Sequence, residues 1–259
     1  MENLKWPEDF INKVICGDCL EVMKQMPDNC VDLVITDPPY GHNNNNRDMI
    51  ANWEKIFKKG RDVGVPRPII NDGKEANDLF RACIKEYFRL LKRGGCCCCC
   101  CGGGGGPDPQ FARWSLWLDE VLQFKQMIIW DKGPMGMGFH YRRSYECVLV
   151  AQKIGAKCNW YADNNDIENI IRPGDYGICK IIPTIHQHPT EKPIALAKHF
   201  IRLHSKSNDL ILDPFMGHGF GVIAAKQLGR RFIGIEIDPN YCEIALKRLA
   251  QEEIFNKSG

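Results

Sequence analysis

Short runs of uninterrupted apolar residues alternate along this chain with longer stretches whose apolar positions recur three and four apart. The first pattern marks strands buried on both faces and the second marks amphipathic helices. Together they predict an α/β fold with a mostly parallel central sheet and helices on both faces. KVICG (13–17) and VDLVIT (31–36) read as strands on either side of a helix over 19–26. A helix over 78–92 puts Phe80, Cys83, Ile84, Tyr87 and Leu91 on one stripe, with Gly94 just past its end as a stop. Next come a helix over 111–124, strands at 126–130 and 146–152, and a helix opened by Pro193 with Ile194, Ala197, Phe200 and Ile201 facing inward. After these the pattern gives a strand at 209–212, a helix over 220–228 stopped by Gly229, a strand at 232–237, and a helix capped by Asp238 with Pro239 at its first position. The segment 41–76 is polar and broken by prolines, a long loop of the kind that carries function or disorder, and 153–189 is irregular.

Composition narrows the class. At 259 residues and 44% apolar, the chain can bury one large core, which implies a single domain over 1–259 with insertions. No apolar run reaches the ~18 residues that span a bilayer, and MENLKWPEDFINK lacks the cationic and apolar blocks of a secretory signal. The expectation is a cytoplasmic protein with reduced thiols and no membrane partner. A net charge of +2 leaves any basic surface local: Lys55, Lys58, Lys59, Arg61 and Arg67 in one loop, Arg142 and Arg143 in another. Either cluster could equally be an ordinary solvated face.

The 14 cysteines include six in a row, 96–101, directly before five glycines. In a strand they form two rows of three on opposite faces. Same-face neighbours lie ~6.5–7 Å apart at Cα, too far and wrongly aimed for a bridge, and neither row can wrap a zinc ion tetrahedrally. They suit a strand buried on both faces. Cys16-Gly-Asp-Cys19 and the 186–188 His-Gln-His stretch give no metal site either, so no metal is expected.

Two strand ends carry chemistry. Asp213-Pro-Phe-Met-Gly217-His-Gly219-Phe-Gly221 turns a strand into a helix, and Glu236 closes the next strand, placed to take the hydroxyls of a ribose. A carboxylate at Asp213 facing the ligand would repel a pyrophosphate but suits an amine and a sulfonium, which favours S-adenosylmethionine over NAD. The other is Thr36-Asp37-Pro38-Pro39-Tyr40. The amino group of a nucleobase is a poor nucleophile because its lone pair is delocalised into the ring. Asp37 and the Pro38 carbonyl, pinned by fixed φ angles, could hold both N–H bonds so that the lone pair turns outward. Tyr40 offers a flat face for a base swung out of its stack.

At these residues the chain resembles the β-class amino DNA methyltransferases, in which the catalytic motif precedes the cofactor motif. GDCLEVMKQMPDNCVDLVITDPPY is similar to the amino-terminal block of that family, and HPTEKPIALAKHFIRLHSKSNDLILDPFMGHG with RRFIGIEIDPNYCEIALKRL to its carboxyl-terminal block. GHNNNN and GGCCCCCCGGGGGPDPQFARWSLWLDE look like a phage- and prophage-borne branch. The resemblance implies a permuted, Rossmann-like S-adenosylmethionine-dependent methyltransferase fold. It implies that Asp213, Phe215, Gly217, Gly219 and Glu236 hold the cofactor, with Asp18 near its adenine and Thr190 and Lys192 at its methionine end. Asp37, Pro38, Pro39 and Tyr40 would act on the target base. Aspartate before ProProTyr goes more often with adenine than cytosine in this family, so adenine-N6 leads and cytosine-N4 is the alternative. The 41–76 loop and the 131–189 region, with Lys58, Lys59, Arg61, Lys132, Arg142 and Arg143, would grip double-stranded DNA and read its sequence. Some relatives dimerise, so the resemblance also brings in a homodimer. Where the family usually reads GSGTT, this chain has His218 and Phe220 in place of small hydroxyl residues, and a DNA-binding relative with impaired catalysis is the reading that departure implies.

Overall fold

The computed structural model describes residues 3–41, 70–102, 110–133, 141–142, 144–163, 166–178 and 192–257. Eight strands form one sheet: β1 (Lys13–Cys16), β2 (Val31–Thr36), β3 (Leu91–Gly102), β4 (Gln123–Asp131), β5 (Tyr145–Gln152), β6 (Ile170–Ile171), β7 (Leu210–Asp213) and β8 (Arg231–Glu236). Their order is β1-β8-β7-β2-β3-β5-β4-β6, with β5 antiparallel to both neighbours and every other pairing parallel. The helices are α1 (Cys19–Met23), α2 (Ala76–Leu90), α3 (Gln110–Val121), α4 (Ile194–His204), α5 (Phe220–Gln227) and α6 (Pro239–Lys257).

The cysteine run builds the middle of this sheet. Cys97, Cys99 and Cys101 face a layer made by α1, α2 and α3, with Phe80, Trp114 and Leu118. Cys96, Cys98 and Cys100 face the layer of α4, α5 and α6, with Phe200, Val222 and Ala245. A side chain no bulkier than cysteine lets both helical layers approach a strand covered on two faces. Burial drives the thiols of Cys97 to Cys100 upward, Cys97 to about 12, so they are protonated apolar filler.

Two sequence expectations are corrected. The helix expected over 78–92 ends at Leu90, and Leu91 already belongs to β3, with no loop between them. Gly94 is therefore not a helix stop. It lies inside β3 at φ +86°, beside a register shift between β2 and β3, and a Cβ there would sit 2.4 Å from the Lys157 carbonyl oxygen. The glycine marks a bulge against which the loop after β5 packs closely. Within the 131–189 region, β5, expected at 146–152, and the short β6 are strands of the sheet, and β5 is buried from Cys147 to Gln152.

Candidate active site

β2 and β7 are parallel neighbours, with Leu33 opposite Ile211 and Val34 opposite Leu212. The turn after Thr36 and the turn after Asp213 therefore emerge side by side at the carboxyl rim, where open α/β sheets leave a crevice. β8 and β1 continue the rim and bring Glu236, Gly17 and Asp18. A cavity lies between, walled by Asp37, Pro38, Pro39 and Tyr40 on one side and Phe215, Gly217, Glu236 and Asp18 on the other.

Lys192 ties the first wall together. Its ammonium sits 3.0 and 2.9 Å from the two Asp37 carboxylate oxygens, donates to the Tyr40 hydroxyl at 3.1 Å and lies 3.1 Å from Glu146 Oε2. The Tyr40 hydroxyl in turn donates to Asp37 Oδ1 at 2.6 Å. Burial works against the charge on Lys192, yet Asp37 and Glu146 outweigh it and hold its pKa above the usual lysine value. Burial likewise opposes ionisation of Glu146, but Lys192 and Lys132 draw its carboxyl down to about 2. The turn is braced from behind: Gln110 Nε2 donates to the Tyr40 carbonyl, Asp72 accepts from the Gly41 N–H at 2.7 Å, and Trp114 meets the Tyr40 ring edge-on.

On the other wall, Glu236 accepts from the Gly217 N–H and the Asp238 N–H, both at 2.9 Å, and so fixes the glycine turn to the end of β8. Burial raises its pKa. Asp18 lines the cavity while its Oδ1 caps α1 through the Leu20 and Glu21 N–H groups. Asp213 departs from expectation. It does not face the cavity but turns inward, accepting from the Gly221 N–H at 2.9 Å and the Phe215 N–H at 3.3 Å. Burial pushes its carboxyl up to about 8 against the pull of those two donors. Gly219, at φ +108°, is the left-handed cap of α5 and also lies off the cavity wall. His218 packs edge-on against Tyr241 and lies 3.0 Å from Arg248 on α6, and Phe220 is core, so neither side chain walls the cavity.

Lys192, which the resemblance placed at the cofactor's methionine end, lines the cavity and stands against Asp37. Lys132, expected on a DNA-facing loop, pairs its ammonium with Glu146 at 2.5 Å and so joins the same network. Arg142 is exposed. Thr190, Lys58, Lys59, Arg61 and Arg143 lie outside the described residues. Glu146 escaped the sequence reading altogether. The available signal was a lone carboxylate at the head of the apolar strand ECVLVAQ, a place that charge occupies only with a partner.

A DNA methylase family model, that of the N6/N4 methyltransferases, matches residues 31–247. The chain is 29% identical over 261 residues to the type II methyltransferase M.HinfI of Haemophilus influenzae, covering 94% of this chain and 69% of that protein. It is 28% identical to the DNA adenine methyltransferase YhdJ of Escherichia coli, covering 91% of this chain and 82% of that one. Among solved structures, the M1.HpyAVI complex with SAM superposes with a TM-score of 0.62 at 28% identity, over 92% of this chain and 99% of that chain. A Thermus thermophilus protein complexed with S-adenosyl-L-methionine shares the fold at a TM-score of 0.65 and 24% identity, over 92% and 95% of the two chains.

Proposed function

The chain belongs to the DNA methylase family, and we propose that it moves the methyl group of S-adenosylmethionine to the N6 amino group of an adenine swung out of duplex DNA. The observation that carries this reading is the single cavity walled by the Asp37–Tyr40 turn and by Phe215, Gly217 and Glu236. The charge of the cavity suits the cofactor. Asp18, Asp37, Asp72, Glu236 and Asp238 face it against one ammonium, that of Lys192, among the described residues. Such a lining favours a sulfonium and an α-ammonium and disfavours a pyrophosphate. Carboxylates other than Asp213 thus supply the negative lining that suits S-adenosylmethionine.

When bound, S-adenosylmethionine supplies an electrophilic methyl group on a positive sulfur. The chain's own residues do the rest. Glu236 has its carboxylate at the end of β8 for the ribose hydroxyls. Asp37 accepts one N–H of the base's amine and the Pro38 carbonyl the other, which frees the nitrogen lone pair for in-line attack. Lys192 and the Tyr40 hydroxyl fix the orientation of Asp37, and the Tyr40 ring supports the base. Residues 1–259 form one methyltransferase domain in this reading. The 41–76 loop and the flanks of β5 within 131–189 face the DNA, and Arg142 is an exposed cation there.

The test is methyl transfer from tritiated S-adenosylmethionine to duplex DNA of varied sequence, followed by mass analysis of the product nucleosides. N6-methyladenine is the expected product, and Asp37→Ala should abolish transfer while calorimetry still detects cofactor binding. N4-methylcytosine would overturn the choice of base, and no incorporation by the wild type would overturn the enzyme reading. An impaired relative predicts no cofactor heat at all, but the side chains of His218 and Phe220 turn away from the cavity, which argues against it.

A further inference from the structure

We propose that Cys96, Cys158 and His204 form a zinc site on the rim opposite the catalytic cavity. Cys96 lies early in β3, Cys158 in the loop after β5, and His204 is the last residue of α4. These three segments meet at the amino ends of the parallel strands, whereas Asp37 and Asp213 leave the sheet at the carboxyl ends.

The geometry fits a metal ion better than a disulfide. The two sulfurs are 3.4 Å apart, and one ligand atom from each of the three residues lies within 4.8 Å of the others. Two thiolates bound to zinc at ~2.3 Å in a tetrahedron stand roughly 3.8 Å apart, so the pair needs only a slight opening. A disulfide at ~2.05 Å would need the sulfurs to close by more than an ångström. The Asn159 carbonyl oxygen faces the same point, 3.0 Å from His204 Nδ1, 3.8 Å from Cys158 Sγ and 3.9 Å from Cys96 Sγ. Trp160 packs edge-on against the His204 ring and limits its rotation. Cys96 and His204 are buried and Cys158 is partly exposed, which leaves an entry path. Two sulfurs and an imidazole select zinc over magnesium or calcium.

The six-cysteine run cannot wrap a metal by itself, but one of its members can join two ligands from distant segments. The ion would pin the bulged start of β3, the loop after β5 and the end of α4 to one another. Its role is structural.

The test is titration of the purified, chelator-stripped full chain with cobalt(II) and then zinc, read by visible absorption. One equivalent of cobalt should give a tetrahedral thiolate–cobalt spectrum that zinc abolishes. Cys158→Ser and His204→Ala should weaken or remove it, whereas Cys97→Ser, on the other face of β3, should keep it. Zinc should raise the melting temperature of the stripped wild type by several degrees and that of Cys158→Ser by none. Circular dichroism and S-adenosylmethionine binding heat establish that Cys158→Ser is folded. Absence of the thiolate–cobalt band in the wild type, or its full survival in folded Cys158→Ser, would overturn the site.

Discussion

Lys192 keeps its charge in the interior because Asp37 and Glu146 grip it from two sides. A buried ammonium that loses one of two carboxylates costs about 3–5 kcal/mol when no other partner replaces it, and here Asp37 remains, so the loss should be smaller. Glu146→Gln keeps the shape and removes the charge. We expect its kcat to fall roughly 10- to 100-fold, the worth of one charged hydrogen bond, with the KM for DNA little changed, as single-turnover and steady-state assays would report. A KM effect without a kcat effect would place Glu146 in DNA binding instead. The same carboxyl sets an acid limit. Its folded pKa lies below its ordinary 4.5, so its contribution is complete above that value and is lost as the pH falls towards 2. The melting temperature of the wild type should therefore drop more steeply through this window than that of Glu146→Gln. Asp37 and Tyr40 were legible in the sequence because their spacing has a chemical reason. Glu146 and Lys132 were not, because their pairing depends on the antiparallel register of β4 against β5, which sets Trp130 opposite Glu146, and that is a property of the sheet.

Among the elements, the turn from β7 into α5 depends on two residues that never wall the cavity. Gly219 caps α5 at φ +108°, and a Cβ there would meet Ile223 Cδ1 at 2.7 Å. Gly219→Ala should cost about 1–3 kcal/mol and weaken S-adenosylmethionine binding about tenfold by shifting Gly217. Gly229→Ala, also at positive φ but with nothing closer than Ser207 Oγ at 3.7 Å, should lose stability and keep its cofactor affinity. Equal affinity losses in calorimetry would refute this division. Asp213 acts on the same turn. Its folded pKa is raised to about 8, so its contribution is present in full below about 4 and is lost as the pH climbs through 8. The melting temperature should decline across that interval, and Asp213→Asn should flatten the decline. Strand and helix identities along this part of the chain follow from periodicity alone. The direction of the Asp213 side chain does not, because an aspartate closing a buried strand can turn outward to a ligand or inward to its own loop, and only the positions of the Gly221 and Phe215 N–H groups decide.

At the scale of the molecule, one sheet joins the two walls of the cavity without a break, and both helical layers draw on both halves of it. The layer around Trp114 and Cys99 also contains Leu212, Ile233 and Ile235 from the cofactor-side strands, and the opposite layer joins Cys98 and Val150 to Val222 and Phe232. Neither half could open without exposing the apolar face of the other, so the chain should unfold as one cooperative unit. A ligand bound on one wall must then stabilise the whole. At a hundredfold excess over its Kd, S-adenosylmethionine adds about 2.7 kcal/mol, which for a domain of this size is a rise of roughly 5–10 °C in Tm. Differential scanning calorimetry should show one transition, with calorimetric and van't Hoff enthalpies in agreement, displaced as a whole by the cofactor. Two transitions of which only one moved would mean that the catalytic and cofactor strands are separately stable, and the close approach of Asp37 to the Gly217 turn would then lack the rigid sheet that fixes it.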